Sequence, residues 1–291
     1  HNIQSGYNAG KWDLGGSAAS ADKSEMLDAV QFRRDLLQWY ARHKRDLPWR
    51  RNRDPYRIWV SEIMLQQTRV NAGIPYYERF LARFPMVEAL ASAEEQALLA
   101  AWAGLGYYSR ARNLQAAAKS IVQNGRFPAE YQTLLQLPGI GEYTAAAIAS
   151  IAFGHPHAAL DGNVMRVISR VWADPGDIGC STTRRRLQAA ADNLLDPKQP
   201  GEHNQAIMEL GATVCLPKQP QCPLCPIGDQ CEARRAGRQQ EFPIKTKRAV
   251  PHLVAKQLII VAEAKSGGLF WQRPAASPRP AGLGEQPGAG R

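Results

Sequence analysis

What this chain lacks narrows its class before any motif is read. Only five of its 291 residues are cysteine, and four of those lie between 215 and 231. That usage does not suit a secreted disulfide framework; it points to a metal site in a reducing compartment. No uncharged apolar run approaches the ~18 residues that a membrane-spanning helix needs. The first residues lack the basic-then-apolar pattern of a signal peptide, and no initiator methionine is present, as in a processed chain or a fragment. No internal repeat is evident. Acidic residues are in deficit, 26 against 36 basic ones, for a formal net charge of +10. That sign favours a polyanionic partner, nucleic acid first, although charge alone is equally compatible with a solubilising surface.

What is present is mostly helix. From Met26 to about Cys231 apolar residues recur with helical spacing. Short breakers divide the pattern: Asp46-Leu47-Pro48, Phe84-Pro85, Gly104-Leu105-Gly106, Asn124-Gly125 and Pro138-Gly139. Nothing there alternates with period two for long, so the fold class is all-α. Residues 1–24 are rich in Gly, Ser, Ala and Asn without periodicity and read as a disordered arm. His252 to Glu263 has strand-like β-branched content, and after Trp271 the composition cannot build a core.

Two carboxylates stand out. VSEIMLQQTRV, residues 60–70, reads as a helix with Ile58, Glu62 and Leu65 on one otherwise apolar face. An acid there costs free energy unless it is stabilised or used, and its pKa is expected to rise. Gln66, Gln67 and Thr68 follow as three uncharged hydrogen-bonders. In ALDGNVMRVISRV, residues 159–171, Asp161 precedes a helix whose Val164, Val167, Ile168 and Val171 face inward. Taken alone it is an N-cap, which amides and the helix dipole would keep ionised. Carboxylates pushed in opposite directions can supply a proton donor and an anion to one glycosidic bond.

Two further motifs complete the set. LPGIGEYTAAAIAS, residues 137–150, places Gly139 and Gly141 in a tight turn ahead of a helix, with Tyr131 to Leu137 as a first helix. A helix-hairpin-helix of this kind seats a DNA phosphate without reading sequence; the bland alternative is an ordinary αα-corner. Cys215, Cys222, Cys225 and Cys231 are separated by six, two and five residues. That uneven spacing favours an iron–sulfur cluster, while zinc and an unliganded loop stay open. Lys218, Arg234 and Arg235 flank the loop and suit phosphate contact; Cys180 reads as a small packing residue.

In this order SEIMLQQTRV, GLGYYSRARNL, LPGIGEYTAAAI, LDGNVMRV and the four cysteines resemble the adenine DNA glycosylases of the MutY type, within the endonuclease III-like, helix-hairpin-helix superfamily. The resemblance spans about residues 28–250. It implies two helical lobes: a six-helix barrel carrying the hairpin (49–154), and a 4Fe–4S lobe built from 25–48 and 155–235. A linker at 236–250 would lead to the start of a Nudix-like β domain at 251–291, truncated and largely disordered after 273, which would weaken discrimination of 8-oxoguanine from guanine.

The same resemblance implies hydrolysis of the N-glycosidic bond of adenine mispaired with 8-oxoguanine or guanine. Glu62 would protonate N7 of the flipped base and Asp161 would stabilise the sugar cation, with Tyr143 and Asn163 in support. Gln66, Gln67, Thr68, Leu105, Tyr107, Gly139, Gly141 and Arg50 would contact DNA. Cys215, Cys222, Cys225 and Cys231 would hold the cluster. Tyr143 stands where bifunctional relatives carry a lysine, so the expected enzyme is monofunctional and leaves an abasic site. The runners-up are a mismatch thymine or uracil glycosylase and a catalytically impaired DNA-binding module. The expected partners are double-stranded DNA with an adenine mismatch and a downstream abasic-site endonuclease, with no membrane association and a monomeric chain. The expected location is the cytoplasm, on the nucleoid, in a bacterium, and the nucleus or mitochondrion in a eukaryote.

Overall fold

The computed structural model describes residues 28–246 and two short strands, 260–262 and 269–271. The expected N-terminal arm and the segment after 273 lie outside the described residues, as does most of the expected Nudix-like start. The helix α1 (Ala29–His43) begins where the Asp28 carboxylate accepts the amides of Val30 and Gln31 at 2.8 and 3.1 Å. Its Phe32, Leu36 and Tyr40, four residues apart, form the buried stripe. The chain then enters α2 (Pro55–Leu65), started by the Asp54 N-cap and a proline at the first helical position.

Helices α2, α3 (Val70–Arg83), α4 (Val87–Ala91), α5 (Glu95–Trp102), α6 (Tyr108–Gln123), α7 (Tyr131–Leu134) and α8 (Glu142–Phe153) enclose one apolar cluster. Trp59, Phe80 and Trp102 are fully buried in it, and Phe80 meets Trp102 edge-on at 5.8 Å. Helix α1 joins a second cluster with α9 (Gly162–Val171), α10 (Ser181–Leu194) and α11 (Pro200–Thr213). Phe32 and Leu36 pack there with Val167, Ile168, Leu187 and Leu210. The described residues thus form two helical lobes, the second assembled from both ends of the segment. The expected inward positions Val164, Val167, Ile168 and Val171 are all buried.

Three expectations change. Residues 60–70 are not one helix: α2 ends at Leu65, and Gln66-Gln67-Thr68 turn away with Gln67 at φ 64°. The first hairpin helix shortens to α7, with Gln136 and Leu137 continuing as tighter turns onto Thr133 and Leu134. Cys180 does not pack; it is exposed ahead of α10. In the separate C-terminal unit, strands β1 (Ile260–Ala262) and β2 (Leu269–Trp271) pair antiparallel, Ile260 opposite Trp271.

The lobes meet where α11 lies against α8. A Cβ added to Gly201 would stand 2.7 Å from the Ser150 carbonyl oxygen and 2.8 Å from the Ile151 Cα. Both are main-chain atoms and cannot step aside. Gly201→Ala should therefore cost about 1–3 kcal/mol in urea denaturation. Gly162→Ala, where an added Cβ meets nothing within 4 Å, should stay within about 1 kcal/mol of the parent.

Candidate active site

A cavity of about 460 Å³ opens between the lobes, within the range of small-molecule sites, roughly 300–1,000 Å³. Its walls come from α2, α8, α9 and α11, so both apolar clusters must form before it exists. Glu62 reaches it from the last turns of α2, flanked by Ile58 and Leu65 as the face pattern requires. The Tyr143 hydroxyl, from the first turn of α8, donates to Glu62 Oε2 at 2.6 Å. Burial drives the Glu62 carboxyl up from its ordinary 4.5 to about 7; the Asp161 charge adds to this, while the Tyr143 hydrogen bond and Arg50 oppose it.

Asp161 caps α9. Its Oδ1 accepts the Val164 amide at 2.7 Å and its Oδ2 accepts Asn163 Nδ2 at 2.9 Å. The expectation that it would be held below its ordinary value does not hold. Burial outweighs the Val164 and Asn163 hydrogen bonds and the Arg166 charge, and the carboxyl is raised. The two acids are therefore shifted the same way. Asn163 is fixed in turn: its Oδ1 accepts Arg166 Nη2 at 2.9 Å, and Arg166 also donates to the Cys215 and Gly211 carbonyls. Glu62, Tyr143, Asp161 and Asn163 line the cavity together.

The residues expected at DNA divide into groups. Gln66, Gln67 and Thr68 sit at the cavity edge. Tyr107 projects at 64% exposure with φ 45°, whereas the Leu105 side chain is only 9% exposed and packs into the first cluster. Gly139 takes φ 75°, and a Cβ there would meet Asn113 at 2.8 Å. Gly141 precedes α8 as a residue with no capping side chain, which leaves the first amides of the helix for an outside acceptor. Arg50 points inward: it donates to Glu209 Oε2 at 2.9 Å and its guanidinium lies over the Tyr40 ring. Around the cysteine loop, Arg234 pairs with Asp229 and Arg235 with Glu232 rather than standing open.

Sequence reasoning missed the α11 wall: Gln205, Met208 and Glu209. Glu209 is wholly buried, and Arg45 grips both its oxygens at 2.7 and 2.8 Å. Burial alone would raise it, but the Arg45 and Arg50 hydrogen bonds win and hold it below its ordinary value. AIMELGAT carries the signal that singled out Glu62, one acid inside an apolar run.

Cys215, Cys222, Cys225 and Cys231 are half-buried in one loop. Burial pushes the Cys225 thiol up to about 12 and those of Cys222 and Cys231 upward, with neighbouring thiols adding to each. Soft donors whose ionisation burial opposes, as at Cys222, Cys225 and Cys231, suit a metal, whose charge reverses that penalty. Arg170 Nη1 also donates to Cys215 Sγ at 3.2 Å. Among the described residues no three donors converge as ligands of one ion. A single zinc would draw its sulfurs to about 3.8 Å from each other, given Zn–S near 2.3 Å. Cysteines of a polynuclear cluster bind separate irons and stand wider.

The raised Glu62 carboxyl carries a stability signature. A folded pKa above the ordinary value favours the protonated acid, so the contribution is full below 4.5 and is lost as pH rises through about 7. Glu62→Gln should therefore melt with the parent in acid and increasingly above it as pH rises from 4.5 to about 7, with the gap levelling off beyond that. Melting curves of both proteins across that range check this; a gap that does not vary with pH contradicts it.

Residues 60–193 match the family described as HhH-GPD superfamily base excision DNA repair protein. An adenine DNA glycosylase of Buchnera aphidicola (Acyrthosiphon pisum strain) is 35% identical over 240 residues, covering 81% of this chain and 67% of its own. The human adenine DNA glycosylase is 46% identical over 229 residues, 75% of this chain but 42% of its own. This chain therefore spans less than half the length of its mammalian relatives. Among solved structures, a thermostable thymine-DNA glycosylase superposes with a TM-score of 0.65 at 27% identity, over 72% of this chain and 97% of its own. Endonuclease III in a non-covalent DNA complex shares the fold, with a TM-score of 0.60 at 22% identity over 73% and 99%. The chain belongs to the MutY-type adenine DNA glycosylase family, within the helix-hairpin-helix superfamily of base excision DNA repair proteins.

Proposed function

We propose that this chain hydrolyses the N-glycosidic bond of adenine mispaired with 8-oxoguanine or guanine in duplex DNA and leaves an abasic site. One observation carries the reading: in a single cavity, a carboxyl raised to about 7 faces a second acid fixed at a helix N-terminus. Near neutral pH the first is a competent proton donor. Adenine must leave the stack to reach it, and the cavity has the volume to take an extruded base. Glu62 then gives its proton to N7, and electrons of the C1′–N9 bond go to the base. Asp161 offsets the charge that develops on the sugar. Water attacks C1′, and the Glu62 carboxylate is placed to take up its proton.

Among the described residues no lysine lines the cavity, and Tyr143 has no amine with which to trap C1′ as a Schiff base. Strand cleavage is not part of the reaction on this reading. The hairpin at Gly139 and Gly141 holds a phosphate, while Gln67 and Tyr107 occupy the gap left by the base. Cys215, Cys222, Cys225 and Cys231 would hold a 4Fe–4S cluster, which when bound would tie residues 215–231 into a fixed loop. Purified protein should then contain iron and acid-labile sulfide, and Cys222→Ser should lose both; zinc in their place would contradict the assignment.

Single-turnover assays on duplexes with A opposite 8-oxoguanine, A opposite guanine, and T opposite guanine test the proposal. Adenine should be released and thymine retained, with breaks only after alkali. Thymine release would instead favour the activity named for the similar thymine-DNA glycosylase. Glu62→Gln and Asp161→Asn should each lower the rate by at least about 10²-fold while duplex binding persists. The parent rate should decline as pH rises through about 7. If the parent releases no base, the chain is a binding module.

A further inference from the structure

Arg110 belongs to neither acid, yet it bonds both the 66–68 turn at the cavity edge and the 104–107 loop. We propose that it is a positioning residue that locks the 66–68 turn and the 104–107 loop into one unit and thereby couples base extrusion to the placement of Glu62. This rests on the glycosylase reading above. The third residue of α6, it sends Nη1 to the Ile63 and Gln66 carbonyls at 3.0 and 2.5 Å. Its Nη2 reaches the Leu105 and Gly106 carbonyls at 3.0 and 3.5 Å. The guanidinium also lies over the rings of Trp102 and Tyr107, at 5.5 and 5.6 Å.

Each segment needs what this side chain supplies. Helix α2 ends at Leu65, and its C-cap Gln66 closes no turn with its own N–H; the Thr68 amide meets the Leu65 carbonyl, while the Ile63 and Gln66 carbonyls take their donor from Arg110. A cation is favoured there by the helix dipole. Gln67 and Tyr107 both take left-handed backbone, φ 64° and 45°, a conformation that only over-determined surroundings maintain in residues other than glycine. Trp102 Nε1 adds a bond to the Gly106 carbonyl, but it holds the loop alone. Among the described residues, the guanidinium fork is the one side chain hydrogen-bonded to both segments. No carboxylate pairs with Arg110 among the described residues; both of its Nη atoms are committed to carbonyls, while its Nε is buried without a partner. Ile63 is next to Glu62, so the same fork also fixes the catalytic turn.

Four tests on the full chain address this, with Arg110→Lys and Arg110→Gln. Hydrogen exchange of the free protein should rise at 66–68 and 105–108 together in both variants, and not at 139–142. A duplex with 2-aminopurine opposite 8-oxoguanine reports extrusion; its fluorescence gain at saturating protein should fall. Single-turnover adenine release should drop by about 10²-fold with the pH midpoint unchanged, because the groups that set the Glu62 proton affinity, Tyr143, Asp161 and Arg50, are not among those Arg110 holds. A cycle with Tyr107→Gly should be strongly non-additive. The inference is overturned if only one segment exchanges faster, if the fluorescence gain is intact, or if the cycle is additive. A parent that releases no adenine would refute the glycosylase reading instead, and the exchange result would still decide whether Arg110 joins the two segments.

Discussion

The site depends on one hydrogen-bonded carboxyl kept out of water. Glu62 rides on a helix of the first lobe, yet the groups that set its proton affinity come from elsewhere: Tyr143 from α8, Asp161 from the start of α9, Arg50 from the connection before α2. None of these is a sequence neighbour except in the loosest sense. Burial raises the pKa, and burial here is a property of the closed cavity. The raised carboxyl thus requires the complete two-lobed fold.

Docking of the lobes is reinforced by ionic contacts that the cavity shares. Arg45 and Arg50, which follow α1, converge on Glu209 of α11, a carboxylate with no exposed surface. Breaking such a pair by removing one partner is costly, on the order of 3–5 kcal/mol, because the other charge is left buried. Asn163 and Arg166 extend the network from Asp161 to the Cys215 carbonyl. A charged wall therefore surrounds the acid without neutralising it, since Glu209 takes up the two guanidinium groups first.

Much of this was legible in the chain. Ile58, Glu62 and Leu65 are spaced so that a helix must place them together, and they line one cavity. The inward valines of α9 and the breakers between helices were readable because periodicity and proline act locally. What was not legible depends on contacts distant in sequence. Residues 60–70 look helical throughout, but the end at Leu65 coincides with carbonyls bonded from α6. Asp161 reads as an ionised cap until the folded chain buries it, which reverses the shift. Cys180 resembles a packing residue because nothing in its neighbours says that the start of α10 faces outward. Glu209 could have been found by the argument used for Glu62; its partners Arg45 and Arg50 lie more than 150 residues away.

The proposed reaction turns on the protonation state of Glu62. Infrared difference spectra of the parent against Glu62→Gln, recorded across pH in the DNA-free protein, isolate the stretch of its protonated carboxyl. The band should persist well above ordinary carboxylate values and vanish with a midpoint of about 7. Loss of the band near the ordinary 4.5 would mean that the cavity does not hold the proton, and would contradict the account.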